Sequence, residues 1–178
     1  ICAGVGVFLA ATRCPKSIVA RIHARALGGG AGLVACCDVS VAVETAEFGF
    51  PEVKIGLLPG IVGPFLLARI GFGNAREYFL TGERFSAARA KEIGLIQHVV
   101  QDEAALDRLI DAKIAQLLTS SPAAIASAKA FVYDIANRPL DDTLETAARV
   151  LAAARTSPEG RAGVEAFLSK TRPPWVKP

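Results

Sequence analysis

Three consecutive glycines, Gly28, Gly29 and Gly30, restrict the fold of this chain more than any other local feature. Glycine loses more conformational freedom on folding than other residues, so a run of three indicates close backbone approach or unusual dihedral angles. A β-branched run over residues 17–22 precedes the glycines, and small apolar residues suited to a packed helix follow over 31–37. A second strand is predicted over 38–43. The order strand, glycine turn, helix, strand predicts an α/β fold.

The position of the glycine run, where a strand gives way to a helix, limits its chemistry. A helix N-terminus presents unpaired N–H groups and a partial positive charge. Anions and polarised carbonyl oxygens are therefore stabilised there. The glycines lack the spacing of a dinucleotide fingerprint or a P-loop, so no nucleotide-binding fold is predicted. From the glycines alone, a tight turn without a ligand is an equal alternative.

The composition excludes several classes of protein. A chain of 178 residues with 52% hydrophobic and 21% charged residues can bury a real core and is not disordered. The net charge is +3 without any block of like charges, so no nucleic-acid partner is predicted. Every apolar stretch is interrupted before bilayer length, so no membrane span is predicted. The four cysteines lack zinc-ligand spacing with the two histidines, which favours reduced thiols, a cytoplasmic location and no metal site.

The sequence changes character near residue 101, and we predict a mixed α/β part over 1–101 and a helical part over 102–178. The elements predicted in the first part after residue 43 are helices over 61–70, 74–80 and 86–91 and a strand over 95–100. The helices predicted in the second part cover 106–117, 121–136, 141–154 and 158–170. So many helices are hard to bury on a small core, which favours packing on a neighbouring subunit. The chain contains no methionine, so we expect its natural N-terminus to be missing.

Two segments together resemble the signature of the enoyl-CoA hydratase/isomerase (crotonase) family. They are IVARIHARALGGGAGLVACCD over residues 18–38 and FGFPEVKIGLLPG over 48–60. The segments TGERFSAA over 81–88 and GLIQHVV over 94–100 also resemble blocks of that family. The resemblance implies a ββα spiral core and a C-terminal helical trimerisation region. It also implies an acyl-CoA thioester substrate, no cofactor apart from the coenzyme A of the substrate, and a homotrimer or a hexamer built as a dimer of trimers.

The same resemblance implies where the reaction takes place. Backbone N–H groups of Gly29 and Val5 would hold the thioester oxygen, and Glu52 would be the acid/base carboxylate. Val5 follows a Cys-Ala-Gly sequence like that of the family, although Gly6 stands where the family usually has aspartate and few residues separate it from Pro15. Phe167 and Lys170, three residues apart, are predicted to share a helix face. The full set of implied substrate contacts is Ala3, Gly28, Gly32, Pro59, Gly60, Phe167 and Lys170.

One departure from the family pattern leaves the reaction open. Family hydratases grip a water between two carboxylates, and the position of the first is Gly32 here. The leading interpretation is a hydratase that adds water to a 2-enoyl-CoA, with a branched acyl chain favoured by the similarity of GGGAGLVACCD to methylglutaconyl-type hydratases. The first alternative is an isomerase that moves the double bond of a 3-enoyl-CoA with Glu52 alone. The second is a non-catalytic acyl-CoA-binding protein, which the missing carboxylate favours and the retained Glu52 opposes.

Overall fold

The structure, a computed structural model, describes residues 2–176, with side chains from residue 4 to residue 176. It divides into two compact units. The first contains the chain up to Arg13 and Ile18–Ala112, and the second contains Cys14–Ser17 and the residues from Lys113 onward. One helix therefore begins in the first unit and ends in the second, and the division lies later in the sequence than the predicted boundary after residue 101. The domain boundary after residue 101 stays a prediction.

The first unit has the mixed α/β class that the sequence predicts. Several of its elements match the sequence prediction closely, and the strand predicted over 95–100 is shorter. In chain order the elements are α1 (Cys2–Arg13), β1 (Val19–Ile22), β2 (Ala26–Leu27), α2 (Gly29–Cys36), β3 (Val39–Val43), β4 (Glu47–Gly49), a 3₁₀-helix (Pro51–Ile55), α3 (Gly63–Thr81), β5 (Arg84–Ser86), α4 (Ala87–Glu92), β6 (His98–Val100) and α5 (Glu103–Leu118).

A parallel sheet of β1, β3 and β6, with β3 in the centre, forms one layer of this unit. Val41 and Ala42 of β3 are fully buried, as expected for a parallel strand that is covered on both faces. In register, Val41 lies opposite His98. The valine-rich run after Asp38 is therefore the central strand of a buried sheet, and the strand predicted there is confirmed.

A second small sheet, in the order β2, β4, β5, places the two segments of the predicted signature side by side. Strands β2 and β4 are parallel, with Ala26 opposite Phe48 and Leu27 opposite Gly49. Strand β5 pairs antiparallel to β4, and Phe85 stacks on Phe48 with ring centroids 6.1 Å apart. Because β2 and β4 run in the same direction, both end at the same edge of the sheet. The glycine turn and the segment after Gly49 therefore leave the sheet together.

Helix α1 is an element that the sequence analysis does not predict. Gly4 and Gly6 lower its intrinsic helix propensity, and no clear apolar periodicity marks it. Tertiary packing stabilises it instead, since the rings of Phe8 and Phe65 lie 5.7 Å apart between α1 and α3. The two helices predicted over 61–70 and 74–80 are both present within α3. They are separated at Gly71, whose φ of 72° and ψ of 168° break the helical geometry.

The second unit is helical and consists mainly of α6 (Pro122–Ile135), α7 (Leu140–Thr156) and α8 (Pro158–Leu168). Ser121 caps α6 by accepting a hydrogen bond from the Ala124 N–H at 3.0 Å. The Ser121 hydroxyl donates to the Glu159 carboxylate, which also accepts from the Ala123 N–H at 3.2 Å. The Trp175 indole N–H donates to the Thr119 carbonyl at 3.1 Å. These contacts join the beginnings of α6 and α8 to the end of the chain.

An ion-pair group on the surface of the first unit predicts a pH effect. The Arg21 guanidinium lies 2.6 Å from Asp107 and 2.9 Å from Glu103, and the hydrogen bond from Arg21 lowers the pKa of Asp107 below its ordinary value. Stability from this pair is present above the unfolded-state pKa of Asp107 and is lost as pH falls through the lower folded-state pKa. We expect Arg21→Gln to raise the pKa of Asp107 toward its ordinary value in an NMR titration. Arg25→Gln, which removes a pair with Glu47, should leave it unchanged. An Asp107 pKa equal in the two variants would contradict this.

Candidate active site

The edge of the sheet where β2 and β4 both end holds two backbone features at close range. The Gly28 N–H donates to the Gly49 carbonyl at 2.9 Å, which fixes the glycine turn against the end of β4. The chain after β4 continues through Phe50 into the 3₁₀-helix that begins at Pro51. Phe50 is fully buried, and its ring lies 5.4 Å from that of Phe79 and 5.6 Å from that of Phe85. Phe50 therefore anchors the residues that follow it.

Glu52, the second residue of the 3₁₀-helix, turns its carboxylate toward the glycine turn. A Cβ built on Gly28 would lie 3.1 Å from Glu52 Oε1, so a side chain at position 28 would press on the carboxylate. Within residues 4–176, Glu52 Oε2 is buried and has no hydrogen-bond partner. A buried carboxylate oxygen without a partner is costly, and such groups persist where they serve a function. This observation makes the Glu52 carboxylate the candidate acid/base of the site.

Gly28 and Gly29 have different parts in the turn. Gly28 has φ 51° and ψ −118°, a left-handed geometry that favours glycine, and it precedes the first residue of α2. Gly29 is that first residue, it is exposed, and a Cβ built on it would meet no atom within 4 Å. The first N–H groups of a helix have no partner within the helix, and the helix dipole is positive there. Open space beside a helix N-terminus is thus next to the Glu52 carboxylate.

The position where the family pattern has a first carboxylate is closed. Gly32 is buried in α2, and a Cβ built on it would lie 2.2 Å from Val62 Cγ1 and 2.6 Å from Val62 Cβ. The Phe8 ring lies 3.3 Å from the same point. Val62 is 4% exposed and immediately precedes α3. The absence of a side chain at position 32 is therefore matched by the isopropyl group of Val62.

The predicted contacts at Pro59 and Gly60 lie in the loop between the 3₁₀-helix and α3. Pro59 is buried, and its carbonyl accepts a hydrogen bond from the Gly63 N–H at 2.7 Å. Gly60 is exposed, and its N–H donates to the Leu58 carbonyl at 2.7 Å. This loop brings Val62 against α2. Contact of Pro59 and Gly60 with a substrate stays a prediction.

Val5, the predicted second N–H donor, is half-buried in α1 three residues after its start. Val5 therefore lies in the first turn of a helix rather than in a loop. Val5 as a donor stays a prediction, and the side chain of Ala3, a predicted substrate contact, lies outside the described side chains.

Phe167 and Lys170 belong to the second unit, and the shared helix face predicted for them is wrong. Helix α8 ends at Leu168, and Lys170 follows it with φ 54°. The Lys170 N–H donates to the Phe167 carbonyl at 3.2 Å and the Thr171 N–H donates to the Ala166 carbonyl at 2.9 Å, which is a Schellman end. Phe167 is 82% exposed. The role of this pair in binding coenzyme A stays a prediction.

The packing of Val62 on Gly32 predicts a clear effect on stability. We expect Gly32→Ala to destabilise the protein by about 1–3 kcal/mol, because the new methyl group would overlap Val62. Gly30→Ala, two residues earlier in α2, is the matched control, since a Cβ there meets nothing within 4 Å. It should stabilise the helix by roughly 0.4–1 kcal/mol. Urea unfolding of both variants measures these changes, and equal stabilities would contradict the packing described.

Comparison with known proteins identifies the family. A family model described as enoyl-CoA hydratase/isomerase matches residues 5–178. A probable enoyl-CoA hydratase of Bacillus subtilis is 34% identical over 160 residues, covering 89% of this chain and 62% of its own. The enoyl-CoA isomerase/hydratase fer4 of Mycosarcoma maydis is 35% identical over 163 residues, covering 90% and 59%. The crystal structure of an enoyl-CoA hydratase from Shewanella pealeana superposes with a TM-score of 0.91 at 32% identity, covering 97% and 64%.

This chain belongs to the enoyl-CoA hydratase/isomerase family and has the crotonase fold. It spans only about three fifths of the length of the curated relatives named above, 62% and 59%. Among the helices of residues 2–176, none is both long and apolar enough to cross a bilayer. In the same part of the chain, no three His, Cys, Asp or Glu residues are grouped as ligands for a metal ion.

Proposed function

We propose that this protein acts on the acyl group of an enoyl-CoA thioester, with Glu52 as its acid/base and the Gly29 N–H as a donor to the thioester oxygen. The observation that carries the proposal is the buried Oε2 of Glu52, which has no partner among the described residues. It lies beside an open helix N-terminus, at the end of a chain segment fixed by Phe50. Membership of the family supplies the substrate class.

The proposed chemistry follows from charge. Proton transfer at the carbon next to the thioester carbonyl places negative charge on the thioester oxygen, forming an enolate. A backbone N–H at the positive end of α2 stabilises that oxygen most strongly when its charge develops. Glu52 takes the proton as a carboxylate and returns it as a carboxylic acid.

Two reactions are consistent with one carboxylate. Hydration of a 2-enoyl-CoA is the interpretation favoured by the sequence, and the Bacillus subtilis relative is named a probable enoyl-CoA hydratase. Isomerisation of a 3-enoyl-CoA is favoured by Gly32, because hydration needs a second group to hold the water. The Mycosarcoma maydis relative is named for both activities, as an enoyl-CoA isomerase/hydratase. A non-catalytic acyl-CoA-binding role is the third candidate, and the unpartnered Glu52 carboxylate counts against it.

Other parts of the proposal concern binding and assembly. Phe167 and Lys170 would contact the coenzyme A nucleotide, and the second unit would mediate a trimer or a dimer of trimers. Three leucines on α7, Leu140, Leu144 and Leu151, are between 57% and 74% exposed in the single chain, which supports packing of this helix on another subunit. We also propose that the protein is located in the cytoplasm and that its substrate carries a branched acyl chain.

The test uses the absorbance of the conjugated thioester. The full chain receives trans-2-hexenoyl-CoA and, separately, cis-3-hexenoyl-CoA. Loss of absorbance from the first substrate indicates hydration, and a gain from the second indicates isomerisation. If neither signal changes, and straight and branched 2-enoyl and 3-enoyl substrates behave alike, the catalytic proposal is wrong and the binding role takes its place.

A further inference from the structure

The contact between Val62 and Gly32 lies close to the Glu52 carboxylate, so it affects the chemistry of the site as well as the packing. The Gly32 N–H donates to the Gly28 carbonyl at 3.0 Å, so the two glycines are one helical turn apart. Gly28 faces the Glu52 carboxylate, and Gly32 faces Val62. One turn of helix rises by about 5.4 Å. Val62 and the Phe8 ring therefore form the wall next to the carboxylate along α2.

This wall leaves no room for a second acid. At 2.6 Å, a Cβ at position 32 would overlap the Cβ of Val62, an atom that cannot rotate away without moving the backbone. Val62 immediately precedes α3, and its carbonyl accepts hydrogen bonds from the N–H groups of Phe65 at 3.1 Å and Leu66 at 3.0 Å. Its backbone is thus tied to the helix. A carboxylate at position 32 and a valine at position 62 exclude each other.

The wall also offers nothing to a water molecule. A buried water needs two to four polar partners, as a rule of thumb. The side chains at this place are the isopropyl group of Val62 and the ring of Phe8, which is followed by Phe65 at 5.7 Å between centroids. Of the described side chains named here, that of Glu52 can hold a water, and a carboxylate alone does not fix the orientation needed for attack on the substrate.

We infer that Val62 selects the reaction: by filling the space beside Gly32 it leaves Glu52 as the single proton carrier, so that the site isomerises a 3-enoyl-CoA rather than adding water to a 2-enoyl-CoA. The inference rests on the proposed function. Glu52 takes a proton from C2, and the C–H electron pair delocalises into the thioester carbonyl. The protonated Glu52 then returns the same proton to C4, while the double bond moves from C3–C4 to C2–C3. Nothing else is consumed or released.

The experiment measures isomerisation of cis-3-hexenoyl-CoA and hydration of trans-2-hexenoyl-CoA by the full chain and its variants. Wild type should isomerise and show little hydration. Val62→Thr keeps the shape of the side chain and adds a hydroxyl that can hold water, so hydration should rise by about 10-fold. The pairs G32E/V62G and G32D/V62G place a second carboxylate in the vacated space. Each should raise hydration by at least about 100-fold, the lower range for an added acid/base group.

Circular dichroism and thermal melting decide which variants are folded. Val62→Thr is the safeguard if both double variants fail to fold, because it keeps the branched shape of the side chain and removes no methylene group. A rise in hydration in any folded variant, with Val62→Gly alone showing none, supports the inference. The inference is overturned if wild type hydrates and isomerises equally well. It is also overturned if hydration does not rise in folded Val62→Thr or in any double variant that folds. Either result leaves the proposed function intact. Turnover of neither substrate by wild type overturns the proposed function and the inference together.

Discussion

Replacing Glu52 with glutamine is expected to lower turnover of an enoyl-CoA by about 100- to 10,000-fold, the usual contribution of a positioned acid/base. Glutamine keeps the shape of the side chain but cannot take up and return a proton. The melting temperature of the variant, in contrast, should not fall. Oε2 is buried without a partner among the described residues, and a neutral amide is less costly to bury than a carboxylate. The variant should therefore melt at the same temperature as wild type or higher.

The pair of measurements makes this test specific. Turnover is followed by the absorbance of the conjugated thioester, and stability by thermal unfolding. Glu44→Gln, an exposed carboxylate on the same stretch of chain, is the control and should leave both quantities unchanged. A fall in turnover together with a fall in melting temperature would mean that Glu52 acts through the fold. Unchanged turnover in Glu52→Gln would remove Glu52 from the chemistry altogether.

Gly29→Pro is expected to lower kcat by about 100- to 1,000-fold, because it deletes one N–H donor to the developing negative charge. The local backbone accommodates the change. Gly29 is the first residue of α2, a position where proline is well tolerated. The preceding residue is Gly28, whose ψ of −118° mirrors the extended geometry preferred before proline and which has no Cβ to meet the ring. The substitution thus removes a hydrogen-bond donor with little effect on the helix.

Gly29→Ala is the matched control for this prediction. It retains the N–H, and the new methyl group meets no atom within 4 Å. We expect its kcat to remain within a few fold of wild type, as roughly expected for a surface substitution. Steady-state kinetics of the two variants, with circular dichroism as a check of folding, provide the comparison. If proline and alanine lower kcat equally, the N–H of Gly29 plays no part and the space beside it is what matters.

Sequence patterns predict the parts of this protein whose physics is local. The β-branched runs that become β1 and β3, the serine cap before α4 and the helix that starts at Pro122 all follow from short-range preferences. Gly29 and Glu52 are also identifiable, because their flanking segments keep the spacing of the family signature. Local preference and motif spacing thus predict the residues that we propose for the site.

Patterns do not predict how those residues come together. Strands β2 and β4 contain two and three residues, too few to show an alternating pattern. Their parallel pairing is nevertheless what carries Gly28 to Glu52. The contact between Gly32 and Val62 is between positions far apart in the chain, and each residue alone is unremarkable in its sequence. Only the three-dimensional arrangement shows that a missing side chain at one position is compensated at the other.

The order of strands in the parallel sheet has a consequence for the synthesis of the protein. The central strand β3 has one neighbour, β1, before it in the chain, but its other neighbour, β6, ends only at Val100. A chain folds progressively as it leaves the ribosome, and long-range parallel pairing is slow. Until β6 has been made, the valine-rich β3 has an open edge that can pair with other chains. We therefore expect the nascent protein to be prone to aggregate between the synthesis of Val43 and that of His98. Chaperones that act in that interval should raise its yield.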